Sequence, residues 1–277
     1  MHKETDAFLP QPAALRGDGQ QPAVPHPDRI ALFLDLDGTL AEIQADPDLV
    51  SVPPDTIGIL RQLYQVLGGA LAILSGRPGI DLDRLLHPLA LPYAAGHGAE
   101  RRDRCGILIQ APAPPSLGLA RAQLRQRVAD WQGVWIEPKG HGLAVHFRGA
   151  PRMAARVESA VRETAARHAP AFDVQPGKMV FELRPHGIDK GTALRAFMRD
   201  APFAGRTPVM VGDDLTDEAA FIAAAQDGGH AIKIGAGPST ALWRLDSPHA
   251  LACWLQQLSR AGLESPPAAA TTTQEPS

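Results

Sequence analysis

The stretch Ala31-Leu32-Phe33-Leu34-Asp35-Leu36-Asp37-Gly38-Thr39-Leu40 decides the fold. Its uninterrupted apolar start reads as a strand buried on both faces, as in a parallel sheet. That strand delivers Asp35 and Asp37 onto a glycine turn. Period-two alternation lets both carboxylates point one way while Leu36 turns to the core. Two anions so close repel, and a divalent cation is the simplest neutraliser. Helix capping is the bland reading of Asp-x-Asp-Gly. A calcium loop of the EF-hand type would need Asp or Asn, Gly and Glu where this chain has Thr39, Leu40 and Asp46, so that reading fails.

Outward from this point, strand-like and helix-like stretches alternate. A strand at 30–35 precedes a helix at 54–67, opened by Pro53-Pro54 and closed by Gly68-Gly69. A strand at 70–74 then ends in Ser75-Gly76-Arg77-Pro78, followed by a helix at 81–87 and a short strand at 92–95. From about Pro112 the order changes: a helix at 117–131, strands at 134–137 and 143–147, a helix at 151–168, and strands at 172–175 and 179–183. That order predicts an α+β module with an antiparallel sheet. After Arg184-Pro185 the first pattern returns, with a helix from Lys190 to Asp200, a strand at 208–211 ending in Gly212-Asp213-Asp214, a helix at 216–225, a strand at 230–234 and a helix at 251–258.

The expected fold is therefore α/β: a doubly wound, mostly parallel Rossmann-like core over 29–112 and 184–262, interrupted by a smaller α+β cap over 113–183. Residues 1–28, rich in Pro and Gln, are expected to form a flexible arm, and 263–277 a disordered tail.

With 277 residues, 44% of them apolar, the chain can bury a sizeable core. A net charge of −3 with interspersed signs implies neither a nucleic-acid surface nor a polybasic membrane patch. Cys105 and Cys253 fit no disulfide framework or zinc motif. The first residues lack an apolar run, so the cytoplasm is the expected compartment. No protein partner is implied.

Four polar clusters follow apolar strands or precede a helix: Asp35/Asp37, Ser75, Lys190, and Asp213/Asp214 with Asp217. Singly, Ser75 reads as a turn residue, Lys190 as a solvated helix-start cation, and Asp213/Asp214 as an N-cap pair. Strand ends in an open α/β sheet converge, however, and together these groups describe a phosphate site. Asp35 is the expected nucleophile, and Asp37 the acid for the leaving oxygen and then the base for water. Magnesium suits oxygen ligands from Asp35, the Asp37 backbone carbonyl and Asp213. Ser75 and Lys190 would hold phosphoryl oxygens. A receiver module uses similar groups, but its acidic pair comes first, whereas Asp213/Asp214 come last here. Gly235-Ala236-Gly237 lacks the third glycine of a dinucleotide loop, since Thr240 stands there.

Asp35 to Leu40, Leu74-Ser75-Gly76-Arg77, Asp189-Lys190-Gly191 and Gly212-Asp213-Asp214-Leu215-Thr216-Asp217-Glu218 resemble the four motifs of the haloacid-dehalogenase-like phosphatases. Aspartate two positions after the nucleophile marks the phosphatase and phosphomutase branches. Gly98-Ala99-Glu100, Glu137-Pro138-Lys139-Gly140, Val145-His146-Phe147-Arg148 and Gly177 to Pro185 are similar to the trehalose-6-phosphate phosphatase family within them. The resemblance implies magnesium-dependent hydrolysis of a sugar phosphate through an aspartyl phosphate, the last step of trehalose biosynthesis. It also implies a mobile cap whose Lys178 and Glu182, with Glu100 at the hinge, hold sugar hydroxyls. Thr39, Gly76, Arg77, His97, Gly98, Lys139 and Arg148 complete the substrate-binding set it implies, and Asp214 and Asp217 give acidic support. The alternatives are a phosphatase for sucrose phosphate or mannosyl phosphoglycerate, or a phosphomutase.

Overall fold

The computed structural model describes residues 25–44, 46–168, 170–177 and 179–264. Apart from their innermost residues, the expected arm and tail lie outside these, and so does Lys178.

The larger of two sheets has eight strands. They are β1 (Ile30–Leu34), β2 (Leu71–Leu74), β3 (Tyr93–Ala95), β4 (Glu100–Arg102), β5 (Leu108–Gln110), β10 (Thr207–Gly212), β11 (His230–Ile234) and β12 (Trp243–Leu245). Their spatial order is β12-β11-β10-β1-β2-β3-β4-β5, parallel from β12 to β3 and antiparallel for β4 and β5. Every residue of β1 is buried, so both faces of the sheet are covered, as its unbroken apolar sequence requires. Helices α1 (Pro54–Val66), α2 (Gly79–Leu86), α5 (Lys190–Met198), α6 (Glu218–Gln226) and α7 (Pro248–Glu264) supply the cover, with α1 packed on α7 and α5 on α6. Phe33 on β1 stacks on Phe203 with ring centroids 5.5 Å apart, and Phe197 of α5 completes the cluster.

The smaller sheet takes its strands from the interrupting segment: β6 (Trp135–Pro138), β7 (Leu143–His146), β8 (Phe172–Gly177) and β9 (Val180–Pro185). Ordered β6-β7-β9-β8, it is antiparallel throughout. Burial in β9 alternates, with Phe181 and Leu183 inward and Val180, Glu182 and Arg184 on the other face. The inward set joins Leu143 and Val145 against Leu124 of α3 (Leu117–Val128) and Val157 and Val161 of α4 (Ala154–Arg167), forming a second apolar core. The opposite, polar face is thereby left for a ligand.

Three strands, β4, β5 and β12, were not expected. The β4–β5 hairpin begins with Glu100-Arg101-Arg102, whose charge hides a strand, and β12 has three residues, too few to show periodicity. The last helix continues to Glu264, beyond the expected end at 258.

Candidate active site

The ends of β1, β2 and β10 meet at Asp35. Its amide donates to Val211 O at 2.9 Å, tying the nucleophile candidate to the strand that carries Asp213. Gly38 makes that approach possible. A Cβ there would lie 2.1 Å from Asp213 Oδ2, and its φ of +82° is one that residues with a side chain rarely adopt.

Asp35 is 5% exposed. Lys190 Nζ donates to its Oδ1 at 2.7 Å, and Thr39 Oγ1 to its Oδ2 at 3.1 Å. Lys190, 2% exposed, also donates to Asp217 Oδ1 at 2.6 Å, so the structure overturns its reading as a solvated helix-start cation. The neighbouring Asp189 caps α5 through a reciprocal box with Thr192, which fixes where Lys190 leaves the helix. Asp217 accepts from the amides of Asp213 and Asp214 at 2.9 and 3.0 Å through its other oxygen. The acidic support expected of Asp217 is thus a brace between Lys190 and the Asp213 loop. Asp214 is exposed and caps the short turn Leu215–Asp217, as the bland reading held.

Burial raises the Asp35 carboxyl well above its ordinary range, with Asp217 and Asp213 adding repulsion and Lys190 opposing it. Burial, Asp217 and Asp214 push Asp213 up to about 6. The Lys190 pKa is raised as well: burial disfavours the ammonium, but Asp217 and Asp35 more than compensate and hold it charged. Oxygens of Asp35, Asp213 and Asp217 lie within 4.8 Å of one another, and Asp213 Oδ1 is buried without a hydrogen-bond partner. Crowded oxygen anions and an orphaned acceptor fit a hard divalent cation. Of the three, Asp217 is the most fully engaged, since it serves Lys190 and two amides.

Ser75 is buried and its Oγ accepts from the Arg77 amide at 3.1 Å, which leaves its own proton for a ligand. Arg77 donates to both carboxylate oxygens of Asp37, each at 2.7 Å. Gly76 leaves room for His97, whose ring would lie 2.6 Å from a Cβ at that position.

A cleft of about 420 Å³ opens over these groups and is closed above by the polar face of the smaller sheet, with Lys139, Arg148 and Glu182 in its wall. Glu182 reaches across both bodies. It accepts from Lys139 Nζ at 2.9 Å and lies 3.3 Å from His97 Nε2. Burial would raise its carboxyl, but the hydrogen bonds and charge of His97 and Lys139 hold it at about 2. Burial lowers the His97 pKa, and its hydrogen bond to Glu182 opposes that shift. Lys178, expected to read sugar hydroxyls together with Glu182, lies outside the described residues. A second cavity of about 270 Å³ lies behind the same pair. Glu100 lines it, held by Tyr93 Oη at 3.1 Å and Gln110 Nε2 at 2.9 Å.

Two expected substrate contacts have other places. Thr39 is wholly buried behind Asp35, so it orients the carboxylate rather than facing the cleft. Gly98 lines neither cavity. A Cβ there would meet Asp189 O at 2.9 Å, so it is the close approach between the His97 turn and the start of α5 that needs glycine. Three residues of the site were not singled out from sequence. Glu137 and His146 face the cleft and bond each other at 2.9 Å; both stand inside motifs quoted for the family resemblance but were given no role there. Lys233 is buried and donates to the carbonyls of Asp213 and Ile234; its signal was a lysine inside the apolar run His230–Ile234.

A two-part Rossmann-like core with an inserted cap, and an Asp-x-Asp strand end facing Lys190 and Asp213, define a phosphatase of the haloacid-dehalogenase-like class. A solved haloacid dehalogenase-like hydrolase from Bacteroides thetaiotaomicron shares the fold, with a TM-score of 0.63 at 16% identity over 83% of this chain and 99% of that one. The trehalose-phosphatase family pattern matches residues 33–249, and the chain belongs to that family. It is 42% identical to the trehalose-6-phosphate phosphatase of Escherichia coli K12 over 237 residues, 84% of this chain and 88% of that one. The C-terminal domain of the Candida albicans trehalose-6-phosphate phosphatase superposes with a TM-score of 0.73 at 21% identity, covering 84% of this chain and 92% of that one.

Proposed function

We propose that this chain hydrolyses trehalose 6-phosphate to trehalose and inorganic phosphate through an aspartyl phosphate on Asp35, with magnesium as the ion. The observation that carries this reading is the placement of Asp35: a buried carboxylate at a strand end, held by Lys190 and Thr39, beside Asp213 and beneath a polar cap face.

Asp35 attacks phosphorus, and the bond to the sugar oxygen breaks. Lys190 and Ser75 stabilise charge on the phosphoryl oxygens, and their burial strengthens that effect. Asp37 gives the leaving oxygen its proton and later takes one from the water that cleaves the acyl phosphate. Magnesium, bound by Asp35, the Asp37 carbonyl and Asp213, would neutralise phosphoryl charge. Glu182, Lys139 and Arg148, with Glu100 behind them, offer acceptors and donors to sugar hydroxyls, and a site built on such bonds rejects substrates lacking them. Lys178 is proposed for the same role.

Residues 29–112 and 184–262 serve as the core and 113–183 as the cap; the two separate apolar clusters support this division. A phosphorylated sugar is charged and does not cross membranes unaided, which favours a cytoplasmic site of action. No helix among the described residues is long and apolar enough to span a membrane.

A panel of sugar phosphates, assayed for released phosphate with and without magnesium, tests the reading. Trehalose 6-phosphate should be preferred and chelation should stop the reaction. Equal rates across the panel would refute the substrate, and a hydroxylamine-labile phosphoryl label that persists in Asp35→Asn would refute the intermediate.

A further inference from the structure

The polar face of the cap sheet continues past the residues that wall the cleft. Alternation along β6 puts Trp135 and Glu137 on this face, and the register with β7 sets them opposite His146 and Ala144. Ile136, between them, packs instead against the apolar cluster beneath α3 and α4. Glu137 and His146 line the cleft, and Trp135 stands one step outward from both. Its indole lies parallel to the His146 imidazole, with centroids 4.0 Å apart and planes 10° apart. His146 is itself held by Glu137 at 2.9 Å, so the indole is fixed at the rim through two contacts. The side of Trp135 turned from His146 meets solvent, and the residue is 54% exposed.

A hexose is amphipathic: hydroxyls at its edge and C–H bonds on its faces. Glu137, Lys139 and Glu182 suit the edge. Across this face of the sheet, the described residues Trp135, Glu137, Ala144, His146, Val180, Glu182, Arg184, Gln175 and Asp173 include two aromatic rings, and Trp135 presents the larger. Two positions along a strand span about 7 Å, close to the width of one sugar ring. Glu137 stands that one step from Trp135 and lies across β7 from Glu182, so a disaccharide whose phosphorylated ring is read by Glu182 and Glu137 would bring its second ring against Trp135.

We propose that Trp135 is a specificity-determining platform on which the sugar ring farther from the phosphate stacks. The proposal rests on the trehalose 6-phosphate reading and adds how a disaccharide is told from a monosaccharide. A flat indole held by its neighbours offers contact area with little rotamer freedom to lose.

The test compares trehalose 6-phosphate with glucose 6-phosphate, which bears the same ester on one ring. Trp135→Ala should raise KM for the disaccharide phosphate by about tenfold while changing that for glucose 6-phosphate far less, and Trp135→Phe should recover part of the loss. Trehalose titrated into the wild-type enzyme should change tryptophan fluorescence saturably, and Trp135→Phe should abolish that change. Equal losses on both substrates, no loss on either, or a fluorescence change that survives in Trp135→Phe would overturn the platform. Should Trp135→Ala fail to fold, the Phe variant and its fluorescence decide alone. Failure of the underlying functional reading would look different: the wild type itself would not prefer the disaccharide phosphate.

Discussion

Arg77 and Asp37, forty residues apart in sequence, meet in a two-pronged bond of 2.7 Å on each side that fixes the carboxylate at the mouth of the cleft. A group assigned to move protons is thus held by a permanent cation. Asp37→Asn cannot exchange the proton, and its amide keeps only one acceptor for the two Arg77 donors. We expect kcat with the sugar phosphate to fall by roughly 10²- to 10⁴-fold, the ordinary worth of general acid–base catalysis. The loss should be smaller for an aryl phosphate whose leaving group needs no proton, and the ratio of the two kcat values measures the difference.

The acid–base balance of Asp213 gives a second expectation. With its folded value raised to about 6, the native apo site binds a proton that the unfolded chain releases at lower pH. Stability of the metal-free protein should therefore fall as pH rises from about 4 to 6, by on the order of 3 kcal/mol from this group. Magnesium should restore stability at neutral pH, and its affinity should weaken as pH drops through 6. Urea unfolding in chelator at several pH values, with and without the ion, reads both effects.

Glu182 joins the cap residue Lys139 to the core residue His97. Removing its carboxylate leaves the buried His97 without that acceptor and the sugar without a reader. For Glu182→Ala we expect kcat/KM to fall by roughly 10- to 100-fold with the sugar phosphate, with a smaller loss on an aryl phosphate. Equal losses on the two substrates would mean that Glu182 serves cap closure alone.

Gly38 offers a structural test of the metal ligands. In Gly38→Ala the new methyl would overlap Asp213 Oδ2 in a backbone conformation that alanine disfavours. Displacement of Asp213 should weaken magnesium binding in titration calorimetry, and strain should lower stability by about 1–3 kcal/mol. Unchanged affinity would separate Asp213 from the ion.

Much of this arrangement is legible before any coordinates. The strand ending at Asp35, the change of pattern near Pro112, and its return after Pro185 all follow from local apolar runs and turn residues, which short windows of sequence record directly. The convergence of Ser75 and Asp213 follows from where parallel strands end, whereas Lys190 arrives from the first turn of α5. What stays hidden depends on side chains meeting across the fold. Thr39 and Gly98 sit inside binding motifs, yet one orients Asp35 through a hydrogen bond and the other permits a close backbone approach, because what lies behind a motif cannot be read from it. The pairing of Glu182 with His97 and Lys139 joins three separate segments, and neither periodicity nor spacing encodes it. The strand Glu100–Arg102 escapes because its charges sit in an antiparallel edge hairpin, where burial does not select apolar residues.

Because β1 lies between β10 and β2, the nucleophile strand has a flank that only Thr207–Gly212 can cover. During synthesis Ile30–Leu34 emerges early, gains β2 soon afterwards, and then keeps one edge of backbone donors and acceptors bare while the whole cap is made. An exposed apolar edge of that kind invites pairing with other chains. The cap, whose own sheet and helices are contiguous in sequence, can fold in the interval, but the core must wait for the ribosome to deliver its missing strand. The insertion that shapes the substrate site therefore also parts, in sequence, two strands that lie side by side in the core sheet.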